Sequence, residues 1–230
     1  YHKGSTFYGL HATRDSIRKN GTAILVEGYM DFLKLYQQSI TNILAVSGTA
    51  FTKAHGASLH RITKKVVLLY DGDDAGANAV INAGWTLLKG ELDPLVVRPP
   101  NGLDPDDWID KVGKKSVQQS ILKAIPYINF NILFHKGEML KGADRKEYIT
   151  YLAKEIKNID DGIIQNDMVR LISSKLMIEE KDFIRTMKTQ RIVGNYQNKE
   201  NVIAKEALFF TSKIERAQLE LIKLMFSLDE

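Results

Sequence analysis

The sequence contains no cysteine among its 230 residues. This absence excludes disulfide scaffolds, thiolate zinc sites and cysteine nucleophiles within the chain, and it is compatible with a reducing compartment. Proline is scarce, with five residues, and no apolar run approaches the roughly 18 residues that a membrane-spanning helix needs. The start of the sequence lacks the basic and apolar pattern of a signal peptide, and its first residue is Tyr1 rather than Met. These features predict a soluble globular protein that is a piece of a longer chain.

The overall composition allows a packed core but says little about partners. Hydrophobic residues make up 44% of the chain and charged residues 26%, which is enough apolar material for one sizeable core and a smaller second one. The formal net charge of +4 points only weakly to polyanionic partners, because many proteins of similar charge never bind nucleic acid. The organisation of the first half of the chain is more informative.

The first half alternates short apolar runs with amphipathic stretches. The runs have the length and β-branched content of buried strands and are bounded by Gly, Asp, Ser or Pro. They are Ala23–Val26, Ile43–Val46, Val66–Leu69 and Leu95–Val97. The stretches between them have apolar residues at helical spacing and are Met30–Gln38, Thr52–His60 and Ala75–Lys89. The alternation predicts an α/β domain over residues 22–112, with a mainly parallel sheet of about four strands flanked by helices.

The second half shows helical periodicity instead, as in Tyr148, Leu152 and Ile156. It predicts an all-α helical bundle over residues 113–191. Residues 192–201 contain Gly194 and several Asn, which is typical of a linker. Residues 202–230 are predicted to begin a separate helical region, whose apolar face consists of Ile214, Ala217, Leu221, Leu224 and Met225.

Acidic residues follow three of the predicted strands. In open parallel sheets, ligands bind at the carboxyl ends of the strands, so these positions are candidate site residues. They are Glu27 and Asp31 after the first strand, Asp71 and Asp73 after the third, and Asp104 and Asp106 after the fourth. If the first and third strands are neighbours, these carboxylates crowd together, which is unfavourable without a cation. An oxygen-only ligand set favours Mg²⁺ or Mn²⁺ over zinc.

Several of these residues also have purely structural interpretations. Asp73 or, more readily, Asp74 is suited to cap the helix that follows, and Asp31 to compensate a helix dipole. The acidic run at residues 104–107 is compatible with a solvated loop that leads into a helix. Glu27 and Asp71 are the hardest to explain structurally, because a carboxylate next to a buried strand is costly unless it is used or solvated.

The glycines beside these acids also have a structural interpretation. Gly28 and Gly72 are expected to permit sharp turns after the strand-end acids. Gly76 is expected to allow close packing of the following helix on the sheet.

Three acidic boxes together carry a family resemblance. They read Glu-Gly-Tyr-Met-Asp at residues 27–31, Asp-Gly-Asp-Asp-Ala-Gly at residues 71–76 and Asp-Pro-Asp at residues 104–106. In this combination the sequence resembles the Toprim domain of the bacterial DnaG-type DNA primases, over roughly residues 1–110. Residues 1–21 resemble the lead-in from a basic N-terminal subdomain that this chain does not contain.

The resemblance implies a nucleotidyltransferase that synthesises RNA primers by metal-dependent chemistry. On this basis Glu27, Asp71 and Asp73 are the expected catalytic and metal-binding residues, and three further acids, Asp31, Asp104 and Asp106, extend the metal site. Mg²⁺ or Mn²⁺ is the expected cofactor, and zinc is expected only in an absent N-terminal module. Lys3 and Lys53 are candidates for contacting nucleotide phosphates, although a solvated surface role explains them equally well.

The resemblance also implies partners and a location. The expected partners are a single-stranded DNA template, ribonucleoside triphosphates, the nascent RNA primer and, through residues 202–230, the replicative helicase. The expected location is the bacterial cytoplasm, with no membrane association, and the fragment alone is expected to have little activity. Two alternatives remain at this point: a Toprim nuclease or topoisomerase, and a receiver-type phosphorylation switch. The spacing of Asp71 and Asp73 argues against the switch, because receivers have an isolated acceptor after the third strand.

Overall fold

The computed structural model describes residues 3–46, 48, 50–100 and 102–189. For Lys3 it describes the backbone only. The predicted linker at 192–201, the region at 202–230 and the apolar helical face within it lie outside the described residues.

A sheet of five strands organises the described part of the chain, in the order β2-β1-β3-β4-β5. The strands are β1 (Thr22–Val26), β2 (Ile43–Ala45), β3 (Lys65–Leu68), β4 (Asp93–Val96) and β5 (Ile125–Pro126). The first four are parallel, and β5 pairs antiparallel with β4. The predicted mainly parallel sheet is therefore confirmed. The second half, predicted to be all-α, also contributes β5, because a two-residue strand is too short to show a period in the sequence.

Helices cover both faces of the sheet and form the second half of the chain. They are α1 (Leu10–Asn20), α2 (Tyr29–Gln37), α3 (Lys53–His60), α4 (Asp74–Lys89), α5 (Pro105–Leu122), α6 (Tyr127–Phe134), α7 (Gly142–Lys157), α8 (Gly162–Leu176) and α9 (Glu180–Thr189). Two short 3₁₀ helices lie at Lys3–Ser5 and Gly137–Met139.

Helix α1 was not expected from the sequence, which reads there as a lead-in without an element. It is bounded by Gly9 and Gly21, whose φ angles of 83° and 63° lie in the left-handed region that favours glycine. Its only buried residues are Thr13 and Ile17, so its apolar face is narrow. This sparse pattern is why the periodicity was missed.

The two faces of the sheet pack against different helices, because alternate residues of a strand point to opposite sides. On one face, Leu25 and Leu68 join a core that continues through α4 and α6 into α7, α8 and α9. On the other face, Ile24 and Val67 pack against α2 and α5. Among the described residues, no helix has the length and apolarity needed to cross a membrane.

Candidate functional site

Strands β1 and β3 are neighbours, as the sequence interpretation required. Leu25 pairs with Leu68 in the parallel ladder, and the Leu69 N–H donates to the Leu25 carbonyl at 2.9 Å. The carboxyl ends of both strands therefore meet at one edge of the sheet, where Glu27 and Asp71 follow them. Glu27 and Asp71 are far apart in sequence, and they lie close together because they follow two neighbouring strands.

Glu27 is the electrostatic centre of this edge. Burial is the largest influence on its carboxyl and, together with the charges of Asp71, Asp31 and Asp73, raises its pKa from 4.5 to about 7. A hydrogen bond from the Asp71 backbone acts in the opposite direction. The Glu27 Oε1 atom is buried and has no hydrogen-bond partner among the described residues. A buried acceptor without a partner is costly.

Asp31 and Asp71 share this environment. Burial raises the pKa of Asp31 to about 6, and the charges of Asp71 and Asp104 add to the rise. The Gly28 N–H donates to Asp31 Oδ2 at 3.1 Å and offsets part of the effect. Burial is also the main cause of the raised pKa of Asp71, followed by the charges of Asp104 and Asp73. Asp31 is therefore both a helix-capping residue and a member of the acidic cluster.

Asp73 caps helix α4. Its Oδ1 accepts from the Gly76 N–H at 2.7 Å, whereas the side chain of Asp74 is 94% exposed. The sequence interpretation that favoured Asp74 as the cap was therefore wrong. The cap position takes the residue whose extended backbone lets its oxygen reach the free N–H groups, and Asp73 has that conformation.

The third acidic box also begins a helix. Asp104 Oδ1 accepts from the Asp107 N–H at 2.7 Å, and Pro105 occupies the first helical position of α5. The expected helix start at Pro105 is therefore confirmed, and Asp104 caps that helix. Asp106 lies 3.8 Å from Lys34 Nζ, which also contacts Asp110.

The six acids do not form a ready-made metal cage. Among the described residues, no group of three or more His, Asp or Glu side chains is arranged to hold a metal ion. The reason is that the carboxylates of Asp73, Asp104 and Asp31 are engaged at helix starts, and Asp106 faces a lysine. Glu27 and Asp71 are the two acids without such an engagement of their own. That number fits Mg²⁺, which is commonly held by one or two carboxylates plus water and substrate phosphates.

A cleft of about 560 Å³ opens beside Glu27 and Asp71. Helix α4 forms one wall, with Asn78 and Asn82 one turn apart on the same face, and Phe51 lines the cleft as well. The sequence interpretation missed all three residues. The signal for the asparagines was the interruption of the apolar face of α4 by amides at helical spacing.

Arg98 is a further residue that was missed. It follows β4, and its Nη2 atom donates to the Gly72 carbonyl at 2.8 Å and to the Asp73 carbonyl at 3.3 Å. It therefore holds the loop that carries Asp71 and Asp73. Its position after the fourth strand, at the same sheet edge as the acids, was the available signal.

The chain bends at Gly28 and Gly72, as expected, and both glycines also permit a close approach. Gly28 is extended, with φ of −94°, and a Cβ there would lie 2.8 Å from Asp31 Oδ2. A Cβ on Gly72 would lie 2.4 Å from the Pro100 carbonyl oxygen. The expected close packing at Gly76 is confirmed, because a Cβ there would lie 2.4 Å from the Asp71 carbonyl oxygen.

The two candidate lysines belong to segments that touch. Lys53 is an exposed residue at the start of α3, and Lys3 begins the first 3₁₀ helix. The Thr52 hydroxyl donates to the Gly4 carbonyl at 2.6 Å, which joins the two segments. Lys53 is not among the residues that line the cleft, and the role of both lysines in phosphate binding stays a prediction.

Three other residues, which sequence reasoning also treats as structural, lie in the interior. His55 is fully buried and belongs to the capping box of α3. Trp85 and Trp108 are 4% and 6% exposed, respectively, and pack in the core.

Comparison with known proteins gives consistent matches. The model of a family described as Toprim-like matches residues 24–109. The DNA primase of Aquifex aeolicus is 32% identical over 234 residues, which covers 100% of this chain and 45% of the relative. The DNA primase of Halalkalibacterium halodurans is 28% identical, covering 93% of this chain and 37% of the relative. The chain thus spans less than half the length of these curated relatives.

Solved structures agree with these matches. The crystal structure of the zinc binding and RNA polymerase domains of the Aquifex aeolicus primase superposes with a TM-score of 0.67 at 31% identity, covering 80% of this chain and 44% of that one. A DnaG primase catalytic domain bound to single-stranded DNA superposes with a TM-score of 0.69 at 28% identity, covering 79% and 59% of the two chains. The described fold is therefore similar to that of DnaG catalytic cores.

Proposed function

We propose that this chain, a relative of the bacterial DNA primases through its Toprim-like domain and the helices that follow, is the catalytic part of an enzyme that synthesises RNA primers on single-stranded DNA. The reaction is nucleotidyl transfer, in which a ribonucleotide 3′-hydroxyl attacks the α-phosphate of a ribonucleoside triphosphate and pyrophosphate leaves. The observation that carries the proposal is that Glu27 and Asp71 lie together at one edge of the sheet, beside a cleft. The pKa values of both carboxyl groups are raised.

Glu27 and Asp71 are the residues that would hold the divalent cation, Mg²⁺ or Mn²⁺, and Asp73 is the third catalytic acid of the proposal. When bound, the cation activates the attacking hydroxyl and neutralises charge on the transferred phosphate and on pyrophosphate. The chain itself contributes a negative field, because the charges of Asp31 and Asp73 act on Glu27 and those of Asp104 and Asp73 act on Asp71. That field disfavours ionised carboxylates without a cation and so favours cation binding.

The same proposal includes the wider assembly. One structural neighbour is described as bound to single-stranded DNA, and another contains a zinc binding domain. We extend the DNA template, ribonucleoside triphosphates and RNA primer to this protein, with Lys3 and Lys53 near the phosphates. Zinc would belong to a part of the protein outside this chain, which has no cysteine. Helicase binding through residues 202–230 and a location in the cytoplasmic replication machinery complete the proposal.

The matched relatives are named as DNA primases, which supports primer synthesis over the nuclease or topoisomerase alternative. This distinction has a direct assay. The full-length gene product is expected to extend ribonucleotides on a single-stranded template and to leave that template uncut. A Glu27→Gln variant is expected to lose primer synthesis while keeping DNA binding, because the acidic site performs chemistry and basic surfaces hold the template.

Metal binding tests the site without relying on activity. Mn²⁺ titration of this chain, followed by electron paramagnetic resonance, is expected to show bound Mn²⁺ that is lost in Asp71→Asn. Asp144→Asn is the matched control, because Asp144 is an exposed acid in the first turn of α7. Unchanged Mn²⁺ occupancy in Asp71→Asn would overturn the assignment, and template cleavage in place of primer synthesis would overturn the function.

A further inference from the structure

Two unsatisfied polar atoms lie at the end of the central strands. Among the described residues, four buried side-chain polar atoms lack a hydrogen-bond partner, and two of these are Glu27 Oε1 and Tyr70 Oη. Both residues line the cleft beside the acidic site. Buried polar groups without partners each cost about 1–3 kcal/mol, so two at one place need an explanation.

The ends of two neighbouring strands bring these residues close together. Leu25 pairs with Leu68 in the parallel ladder, and Glu27 and Tyr70 each follow two residues later and line the same cleft. Adjacent strands are about 4.8 Å apart, so the two side chains start from neighbouring points.

The two orphaned atoms are chemically complementary. A phenol O–H is a donor and a carboxylate oxygen is an acceptor, so a hydrogen bond between them would satisfy both. Tyr70 is 3% exposed, and its ring belongs to the core that contains Leu25 and Leu68, so bulk water does not serve its hydroxyl. The ring is therefore held in place, and the flexible partner is the Glu27 side chain.

We propose that Tyr70 is a positioning residue, which donates its hydroxyl to Glu27 Oε1 when the Glu27 carboxylate holds a divalent cation. This inference rests on the proposed function, because it takes Glu27 as a cation ligand. The hydrogen bond orients the carboxylate, and its other oxygen, which accepts from the Asp71 backbone, keeps a second lone pair for the cation. Metal-ligating carboxylates are generally hydrogen-bonded in this way, and loss of such a partner typically weakens metal binding about 10- to 100-fold.

Tyr70→Phe tests the proposal with Tyr127→Phe as a matched control. Tyr127 is equally buried, but its hydroxyl donates to the Ile81 carbonyl at 2.8 Å in the core away from the acids. In Tyr70→Phe we expect Mn²⁺ affinity to fall about 10-fold with no loss of Tm. In Tyr127→Phe we expect unchanged Mn²⁺ affinity and a Tm lower by about 2–4 °C, because a satisfied buried hydrogen bond is lost.

A spectroscopic signature separates positioning from packing. Mg²⁺ is expected to perturb the tyrosine ultraviolet absorbance of the wild type and of Tyr127→Phe, but not of Tyr70→Phe, because only Tyr70 gains a hydrogen bond. Suppose that Tyr70→Phe keeps the wild-type Mn²⁺ affinity and the wild-type Mg²⁺ difference spectrum, while Glu27→Gln loses Mn²⁺ binding. That result would overturn this inference alone. Wild-type Mn²⁺ binding in Glu27→Gln would overturn both this inference and the proposed function.

Discussion

Glu27→Gln is expected to stabilise the metal-free protein, and the gain is expected to depend on pH. A carboxyl pKa that rises from 4.5 to about 7 corresponds to about 3 kcal/mol, at about 1.4 kcal/mol per pH unit. Glu27 is only partly buried, and solvent screening reduces this value to about 1.5–2 kcal/mol. Glutamine has nearly the shape of glutamate and no charge, so it removes the penalty while preserving the packing.

The direction follows from the protonation of the two states. Below the unfolded pKa of 4.5, Glu27 is protonated in both states and the variant gains little. As pH rises from 4.5 towards 7, the unfolded chain releases its proton while the folded chain retains it, so wild-type stability falls. Above the folded pKa of about 7 the loss is complete. The stability difference between Glu27→Gln and the wild type is therefore expected to grow across this window and then to level off.

Urea unfolding in the presence of a chelator measures this difference, at about pH 5 and about pH 8, with the buried tryptophans as the fluorescence probe. Glu147→Gln is the control, because Glu147 is an exposed carboxylate on α7. Mn²⁺ at ten times its Kd should then stabilise the wild type by about 1.4 kcal/mol and leave Glu27→Gln unchanged. A gain that is the same at both pH values, or absent at the higher one, would refute the reasoning.

Two further substitutions test the loop that carries Asp71. Asp73→Ala is expected to lower the free energy of unfolding by about 1 kcal/mol, because the cap of α4 is lost. Asp74→Ala is the control and is expected to stay within about 0.5 kcal/mol of the wild type in the same urea assay. A larger loss in Asp74→Ala than in Asp73→Ala would identify Asp74 as the cap. Gly72→Ala is expected to cost about 2 kcal/mol or more, because its Cβ would lie 2.4 Å from the Pro100 carbonyl oxygen. The control is Gly162→Ala, whose Cβ meets nothing within 4 Å, and equal stabilities of these two alanine variants would contradict the packing argument.

The sequence by itself determined the architecture of the first half of the chain. Four apolar runs separated by amphipathic stretches predicted β1 to β4, each within one or two residues of its observed bounds. The prediction succeeded because a strand buried on both faces must be apolar throughout, whatever lies next to it. The acids at the strand ends were visible for the same reason, since each interrupts an apolar run. The order in which they meet in space was not visible.

Tertiary structure decided the rest, because register and hydrogen-bond partners depend on residues far apart in sequence. Ile125–Pro126 forms a strand only because β4 offers a free edge. From the sequence alone Arg98 is an ordinary surface cation, and only the structure shows its hydrogen bond to the Gly72 carbonyl. The sequence shows Tyr70 only as the residue that follows an apolar run, and the fold places it in the same cleft as Glu27. Local sequence patterns indicate which residues are buried, whereas the tertiary packing determines which buried groups contact one another.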